Sequence, residues 1–210
     1  MGAKSVKDIL RRKYTHIEWS ERWQEAFGNP EDFGLWFIWG NSGNGKTSFV
    51  MQLANELSQK YQVFFNSLEE GMKSTLQQHL INNKVTGKIV FDTLPIEELM
   101  QLHRRYKVVI IDSVQASNAH YIAWQKLRQK LGHRLLIVIS QADKKQPIGR
   151  TALRLKFDAD LKLYVEGFKA ISNGRYNPGG ELIIWPEGYA KYYLNKVNEE
   201  NYEPQPDIVE

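Results

Sequence analysis

Apolar residues in this chain gather into short unbroken runs, separated by longer stretches where they return every three or four positions. The first run is Leu35-Trp36-Phe37-Ile38-Trp39, of strand length and apolar at odd and even positions alike. A strand with that pattern is buried on both faces, as in a parallel sheet covered by helices. Further strand-length runs lie within 62–66, 88–91, 108–111 and 135–139. Between them, 47–60, 71–80, 95–105 and 120–131 carry the spacing of amphipathic helices. Strand alternating with helix predicts an α/β fold, a mostly parallel sheet flanked by helices.

The pattern differs at the two ends. Thr15 and Glu18 have capping-box spacing, and Trp19, Trp23 and Phe27 fall on one helical face, so the spacing predicts a helix over 17–27. Gly28-Asn29-Pro30 ends it, and its aromatic stripe reads as core packing. Beyond Arg150, short strands at 160–165, 168–171 and 181–185 are separated by Gly, Asn and Pro, which suggests an antiparallel extension at the sheet edge. No repeat or linker divides the chain. The reading is a basic, helical extension over 1–33, a core over 34–190 and an acidic, loosely ordered tail over 191–210 with Pro204 and Pro206.

Composition changes this picture little. With 42% hydrophobic and 25% charged residues the chain reads as soluble and globular. It has no cysteine, which excludes disulfides and thiolate metal sites and is compatible with a reducing cytoplasm. The basic N-terminus, with Lys4, Lys7, Arg11, Arg12 and Lys13, is not followed by the apolar segment of a secretory signal. No apolar run approaches a membrane span. The net charge is only +4, yet Lys126, Arg128, Lys130, Arg134, Lys144, Lys145, Arg150, Arg154 and Lys156 crowd 126–156 with Asp143 the sole acid there. Such a stretch can face phosphates, a nucleic-acid backbone or water, and solvated surface is the default.

The chemistry begins directly after the first strand. Gly40-Asn41-Ser42-Gly43-Asn44-Gly45-Lys46-Thr47 matches G-x-x-x-x-G-K-[ST], follows a buried strand and opens a helix. Gly40, Gly43 and Gly45 let backbone N–H groups turn inward onto phosphate, and the helix N-terminus adds partial positive charge. Lys46 reaches the β- and γ-phosphates, the Thr47 hydroxyl suits a Mg²⁺ shell, and Ser48 follows within the same turn. Asp112 ends the run 108–111, so it lies beyond the carboxyl edge of the sheet, where it can hold Mg²⁺ through water. Glu69 and Glu70 follow the second strand, and a carboxylate there can polarise the attacking water. Two acids at a loop start are otherwise usually solvated.

Taken together, Ser67-Leu68-Glu69-Glu70-Gly71 and Ile110-Ile111-Asp112-Ser113-Val114-Gln115 resemble the RecA superfamily of P-loop ATPases, in particular its DnaB-like, RadA and KaiC branches. The resemblance spans 35–185 and implies a RecA-like sheet. It makes Glu69 the base and Glu70 its neighbour, and Gln141 in Ile139-Ser140-Gln141 either a sensor of the γ-phosphate or a residue coupling it to a nucleic-acid loop. It also implies that basic residues after that sensor act in trans on a neighbour's nucleotide, for which Lys144, Lys145 and Arg150 are the candidates. Asn173-Gly174-Arg175-Tyr176-Asn177 is loosely similar to a RadA loop, without its lysine and final glycine. The resemblance covers the ATPase core alone, with none of the additional domains of DnaB, RadA or KaiC.

These residues set the expectation of an ATPase using ATP and Mg²⁺, acting with DNA, single-stranded by preference, as a homo-oligomer in the cytoplasm. A small-molecule kinase would want an arginine-rich lid and an acceptor site, and neither is distinct. A GTPase would want N-K-x-D where Ser140-Gln141-Ala142-Asp143 stands, and a glycine within Asp112-Ser113-Val114-Gln115. A nucleotide-dependent scaffold or loader with slow hydrolysis would need the same complete site.

Overall fold

The computed structural model describes residues 3–200. Its strands are β1 (Gly34–Gly40), β2 (Val63–Ser67), β3 (Ile89–Asp92), β4 (Val108–Asp112), β5 (Leu135–Asp143), β6 (Gln146–Pro147), β7 (Leu161–Glu166), β8 (Lys169–Ser172) and β9 (Glu181–Ile183). Its helices are α1 (Val6–Leu10), α2 (Glu21–Phe27), α3 (Lys46–Ser58), α4 (Ser74–Asn82), α5 (Ile96–Leu99), α6 (Tyr121–Leu131), α7 (Arg150–Asp158) and α8 (Pro186–Glu200). The sheet runs β3-β2-β4-β5-β1-β7-β8-β9, with β6 paired to β5. The strands from β3 to β7 in that order are parallel, and β8 and β9 are antiparallel, so the expected C-terminal extension is present.

The unbroken apolar runs become central strands because both faces are covered. Trp36 and Ile38 of β1 enter one core with α2, α3 and Leu76 of α4. Leu35, Phe37 and Trp39 enter the other core, beneath α5, α6 and α7. Every residue of β1 from Leu35 onward is buried.

Several boundaries differ from the sequence pattern, each for a local reason. The capping box at Thr15 does not form. The Thr15 hydroxyl instead donates to the Asp32 carboxylate at 2.7 Å, and Ile17 N–H donates to the Pro30 carbonyl at 2.9 Å. That pairing satisfies the backbone in extended form, and the helix starts only at Glu21. The aromatic stripe still packs inward, with Trp19 and Trp23 centroids 6.1 Å apart and Trp23 5.8 Å from Phe49. α4 starts at Ser74 because Gly71 makes a turn (φ 66°) whose N–H returns to the Ser67 carbonyl. α5 stops early as the backbone tightens into turns, with Met100, Gln101 and Leu102 N–H donating to the Glu97, Glu98 and Leu99 carbonyls, and the Arg134 guanidinium meets the Leu102 carbonyl beyond them. α8 opens on Pro186, a residue suited to a first helical position. It continues past position 190, where the sequence pattern places a loosely ordered tail. Positions 201–210 of that tail lie outside the described residues. No helix among the described residues is long and apolar enough to cross a membrane.

Candidate functional site

The carboxyl ends of β1, β2, β4 and β5 lie side by side. Register pairs Ser67 with Asp112, Asp112 with Ile139, and Gly40 with Gln141. Beyond that edge lies a cleft of about 580 Å³, walled on one side by Ser42, Gly43, Gly45, Lys46, Thr47 and Ser48 and on the other by Glu69, Glu70 and Asp112. Gly40 and Asn41 lead into the loop behind this wall.

The loop takes its shape from glycine. Gly45 caps α3 with φ 93°, and a Cβ there would come within 2.9 Å of the Phe168 ring. A side chain is excluded on both counts. The N-terminus of α3 therefore faces the cleft with free N–H groups and positive partial charge, which favours an anion. Asn44 fastens the loop from outside, since its Oδ1 accepts from Gly167 N–H at 2.8 Å and its carbonyl from Phe168 N–H at 3.1 Å. The Lys46 ammonium donates to the Asn41 carbonyl at 2.9 Å.

The carboxylates are set by backbone as well as register. Leu68 and Glu69 N–H groups donate to the Asp112 carbonyl at 2.7 and 3.0 Å, joining the end of β2 to the end of β4. Burial, then the neighbouring Glu69 charge, raise the Asp112 carboxyl to about 7, with Lys46 opposing and Glu70 adding to the rise. Burial likewise pulls the Lys46 ammonium below its ordinary value, against the attraction of Asp112 and Glu69. Negative charge is thus crowded around one lysine, an arrangement that favours a further cation.

The two glutamates face different partners. Gln141 Nε2 donates to Glu69 Oε1 at 3.0 Å, whereas Glu70 Oε1 lies 3.6 Å from His79 Nε2 of α4. Gln141 is steadied by a residue whose role the sequence pattern leaves unmarked. Gln115 Nε2 donates to Ser140 Oγ at 2.9 Å and to the Ile148 carbonyl at 2.8 Å, while its Oε1 accepts from Gln141 N–H at 3.1 Å. Lys73, Thr75 and His79 also wall the cleft. Thr75 and His79 stand one helical turn apart on α4, and that spacing is the signal for them in the sequence.

Lys144, Lys145 and Arg150 do not enter this cleft. Lys144 and Lys145 are exposed on the tight turn between β5 and β6. Their carbonyls accept from the Tyr164 hydroxyl at 3.2 Å and from Trp39 Nε1 at 3.0 Å. Arg150 is exposed in the first turn of α7, so the stretch that reads as one basic loop is a hairpin followed by a helix. Arg175 lies 3.9 Å from Asp160, whose carboxylate accepts from Leu35 N–H at the opposite end of the sheet. It is therefore remote from the cleft.

Solved structures share this arrangement of strands. The flagellar accessory protein FlaH from Methanocaldococcus jannaschii superimposes with a TM-score of 0.61 at 14% identity, over 80% of this chain and 93% of that one. The fold is RecA-like. A KaiC-like protein from Pyrococcus horikoshii aligns with a TM-score of 0.61 at 15% identity, over 81% of this chain and 99% of that one. The ATPase domain of G40P aligns with a TM-score of 0.53 at 17% identity, over 70% and 79%. No protein-family model matches the chain, and no curated protein matches it in sequence. At these identities the likeness shows the RecA-like fold, and the chemistry rests on the cleft itself.

Proposed function

We propose that this protein binds ATP with Mg²⁺ and hydrolyses it, with Glu69 as the general base. The observation that carries the reading is the hydrogen bond from Gln141 to Glu69, made across a cleft that also holds Lys46, Thr47 and Asp112. A surface glutamate has no need of a tether from a strand two places away in the sheet. A base does, because proton abstraction requires a fixed position relative to the attacking water.

The residues fit a magnesium ion. Thr47 and Asp112 offer hydroxyl and carboxylate oxygens, hard donors of the kind magnesium takes. Among the described residues no group of three or more acids or histidines could hold a metal by itself. Such a site suits an ion that keeps water and phosphate oxygens in its shell. Bound there, magnesium would neutralise charge on the β- and γ-phosphates. In this reading the loop amides and Lys46 hold the triphosphate, Glu69 takes the proton from water, and Gln141 holds Glu69 while meeting the γ-phosphate.

The same reading includes assembly and a nucleic-acid partner. Lys144 and Lys145 stand exposed on the hairpin that continues from Gln141, and Arg150 on the first turn of the helix after it, all outside their own cleft. We take them as fingers for the nucleotide of a neighbouring copy in a head-to-tail homo-oligomer. Within 126–156 the exposed Lys126, Lys130 and Arg154 supply further charge for a single-stranded DNA backbone, whereas Arg128, Arg134 and Lys156 are engaged by Asp160, by the Leu102 and Leu131 carbonyls and by Gln146.

Steady-state ATP turnover, measured with and without magnesium and single-stranded DNA, tests the proposal. Turnover should require magnesium, rise with DNA and lose that rise as salt increases. Lys46→Ala should abolish tight triphosphate binding. Unchanged ATP affinity in that variant would remove the loop as the nucleotide site.

A further inference from the structure

An aromatic hollow adjoins the phosphate loop and belongs to neither core. The turn between β7 and β8 is fastened to Asn44 through Gly167 and Phe168 N–H groups, as described above. Phe168 stands there with φ 60° and its ring against Gly45. Its carbonyl accepts from Ile184 N–H at 2.8 Å, which brings Trp185 alongside. The Phe168 and Trp185 rings meet edge to face, with centroids 5.1 Å apart and planes at 87°.

Two glycines allow these rings to settle. A Cβ on Gly188 would lie 2.2 Å from the Trp185 ring, and one on Gly167 would lie 2.4 Å from the Tyr192 ring. Phe168, Trp185, Tyr192, Gly188, Lys191 and Asn195 together enclose a hollow of about 300 Å³. Trp185 remains 51% exposed even so. A large apolar ring held over a hollow and left half in water is poorly accounted for by core packing.

We propose that this hollow receives the base of the nucleotide whose triphosphate lies on the phosphate loop. The inference rests on the nucleotide reading above and deepens it. Phe168 joins the two places, because it touches Gly45 of the loop and also walls the hollow. A base has two apolar faces and a polar edge, and aromatic side chains take the faces. The Lys191 ammonium donates, and the Asn195 amide both donates and accepts, so these two side chains can read the edge. Because the two planes stand at 87°, a base stacks on one ring and meets the other edge on, and a purine covers more of that ring than a pyrimidine does, so purine triphosphates bind more tightly here.

Tripolyphosphate separates this claim from the reading on which it rests, because it carries the phosphates and no base. Affinities of ATP, CTP and magnesium tripolyphosphate are measured for the unaltered protein and for Phe168→Leu, Trp185→Leu and Trp185→Phe. Both leucine variants should bind ATP roughly tenfold to hundredfold more weakly, and Trp185→Leu, which leaves the Phe168 contact with the phosphate loop in place, should bind tripolyphosphate unchanged. Trp185→Phe should recover part of the loss. ATP should quench the fluorescence of Trp185, and the quench should be absent in Trp185→Phe. Unchanged ATP affinity in the leucine variants overturns the base site, as does an equal loss for ATP and tripolyphosphate in Trp185→Leu. Equal affinity of the unaltered protein for ATP and tripolyphosphate overturns it while sparing the phosphate loop. Binding of neither compound overturns both.

Discussion

Replacing Glu69 with glutamine should leave ATP binding intact and slow hydrolysis by about 10²- to 10⁴-fold. Glu69 Oε1 accepts from Gln141 Nε2 at 3.0 Å, and the carbonyl oxygen of a glutamine can meet the same donor. Shape and tether therefore persist. The bond passes from charge-assisted to neutral, a change of about 1 kcal/mol, or about fivefold. A larger loss belongs to the missing proton acceptor. Removing the Glu69 charge also relieves the repulsion that helps raise Asp112, so metal binding is not weakened by the change. Single-turnover hydrolysis, with ATP affinity measured separately, reads the two effects apart. Gln141→Ala keeps the base and removes its tether, for a loss of about 10- to 100-fold. Gln141→Ala should cost less in the Glu69→Gln background than in the parent, because the tether then holds no base and only the contact with the γ-phosphate is lost. Normal turnover in Glu69→Gln with slow Glu70→Gln would refute the assignment. Additive losses in the double variant would refute the tether.

Two other outcomes follow from the charges. In chelator-treated, nucleotide-free protein, Asp112 sits at about 7 rather than 3.8, so the folded state holds this proton more tightly than the unfolded chain. Its contribution to stability is full below about pH 4 and lost as pH rises through about 7, on the order of 4 kcal/mol at most. Asp112→Asn should accordingly raise the melting temperature at pH 8, little at pH 4, and abolish magnesium-dependent turnover. A variant no more stable than the parent at pH 8 contradicts the burial argument. For the shared site, inactive Lys46→Ala protein mixed with Arg150→Ala, Lys144→Ala or Lys145→Ala protein should regain part of its turnover. No recovery in any mixture, with a monomer mass by light scattering in ATP, defeats head-to-tail assembly.

The sequence carried the core strands and the phosphate loop plainly, because both are local. A strand buried on two faces leaves an unbroken run such as 35–39, and a phosphate loop needs its glycines and lysine at fixed spacing. Boundaries were less legible where a distant group decides them. Nothing near Thr15 announces that its hydroxyl will go to Asp32. Gln115 shows the same limit within the site. Its importance lies in reaching Gln141, Ser140 and Ile148 across the sheet, contacts that no window along the chain contains. The hollow beside Gly45 is assembled from a turn, a strand end and a helix, so its aromatics read in sequence as ordinary apolar positions.

Strand β5 connects the parts of the cleft that have to act together. Its residue Gln141 holds Glu69, and two residues later the strand turns into the hairpin that bears Lys144 and Lys145. That hairpin is braced against β1, through Trp39 Nε1 on the Lys145 carbonyl, immediately before the phosphate loop begins. Lys156 reinforces the brace, its ammonium 4.2 Å from the centre of the Trp39 ring and 3.2 Å from Gln146 Oε1. Packed strands of this kind do not deform gradually. A shift of Gln141 toward a γ-phosphate would be carried along a rigid, hydrogen-bonded strand into the hairpin. In the proposed head-to-tail assembly the neighbour's site would then meet these lysines in a different position before and after hydrolysis. If the proposed head-to-tail assembly forms, catalysis in one copy and finger placement in the next are coupled through this one strand.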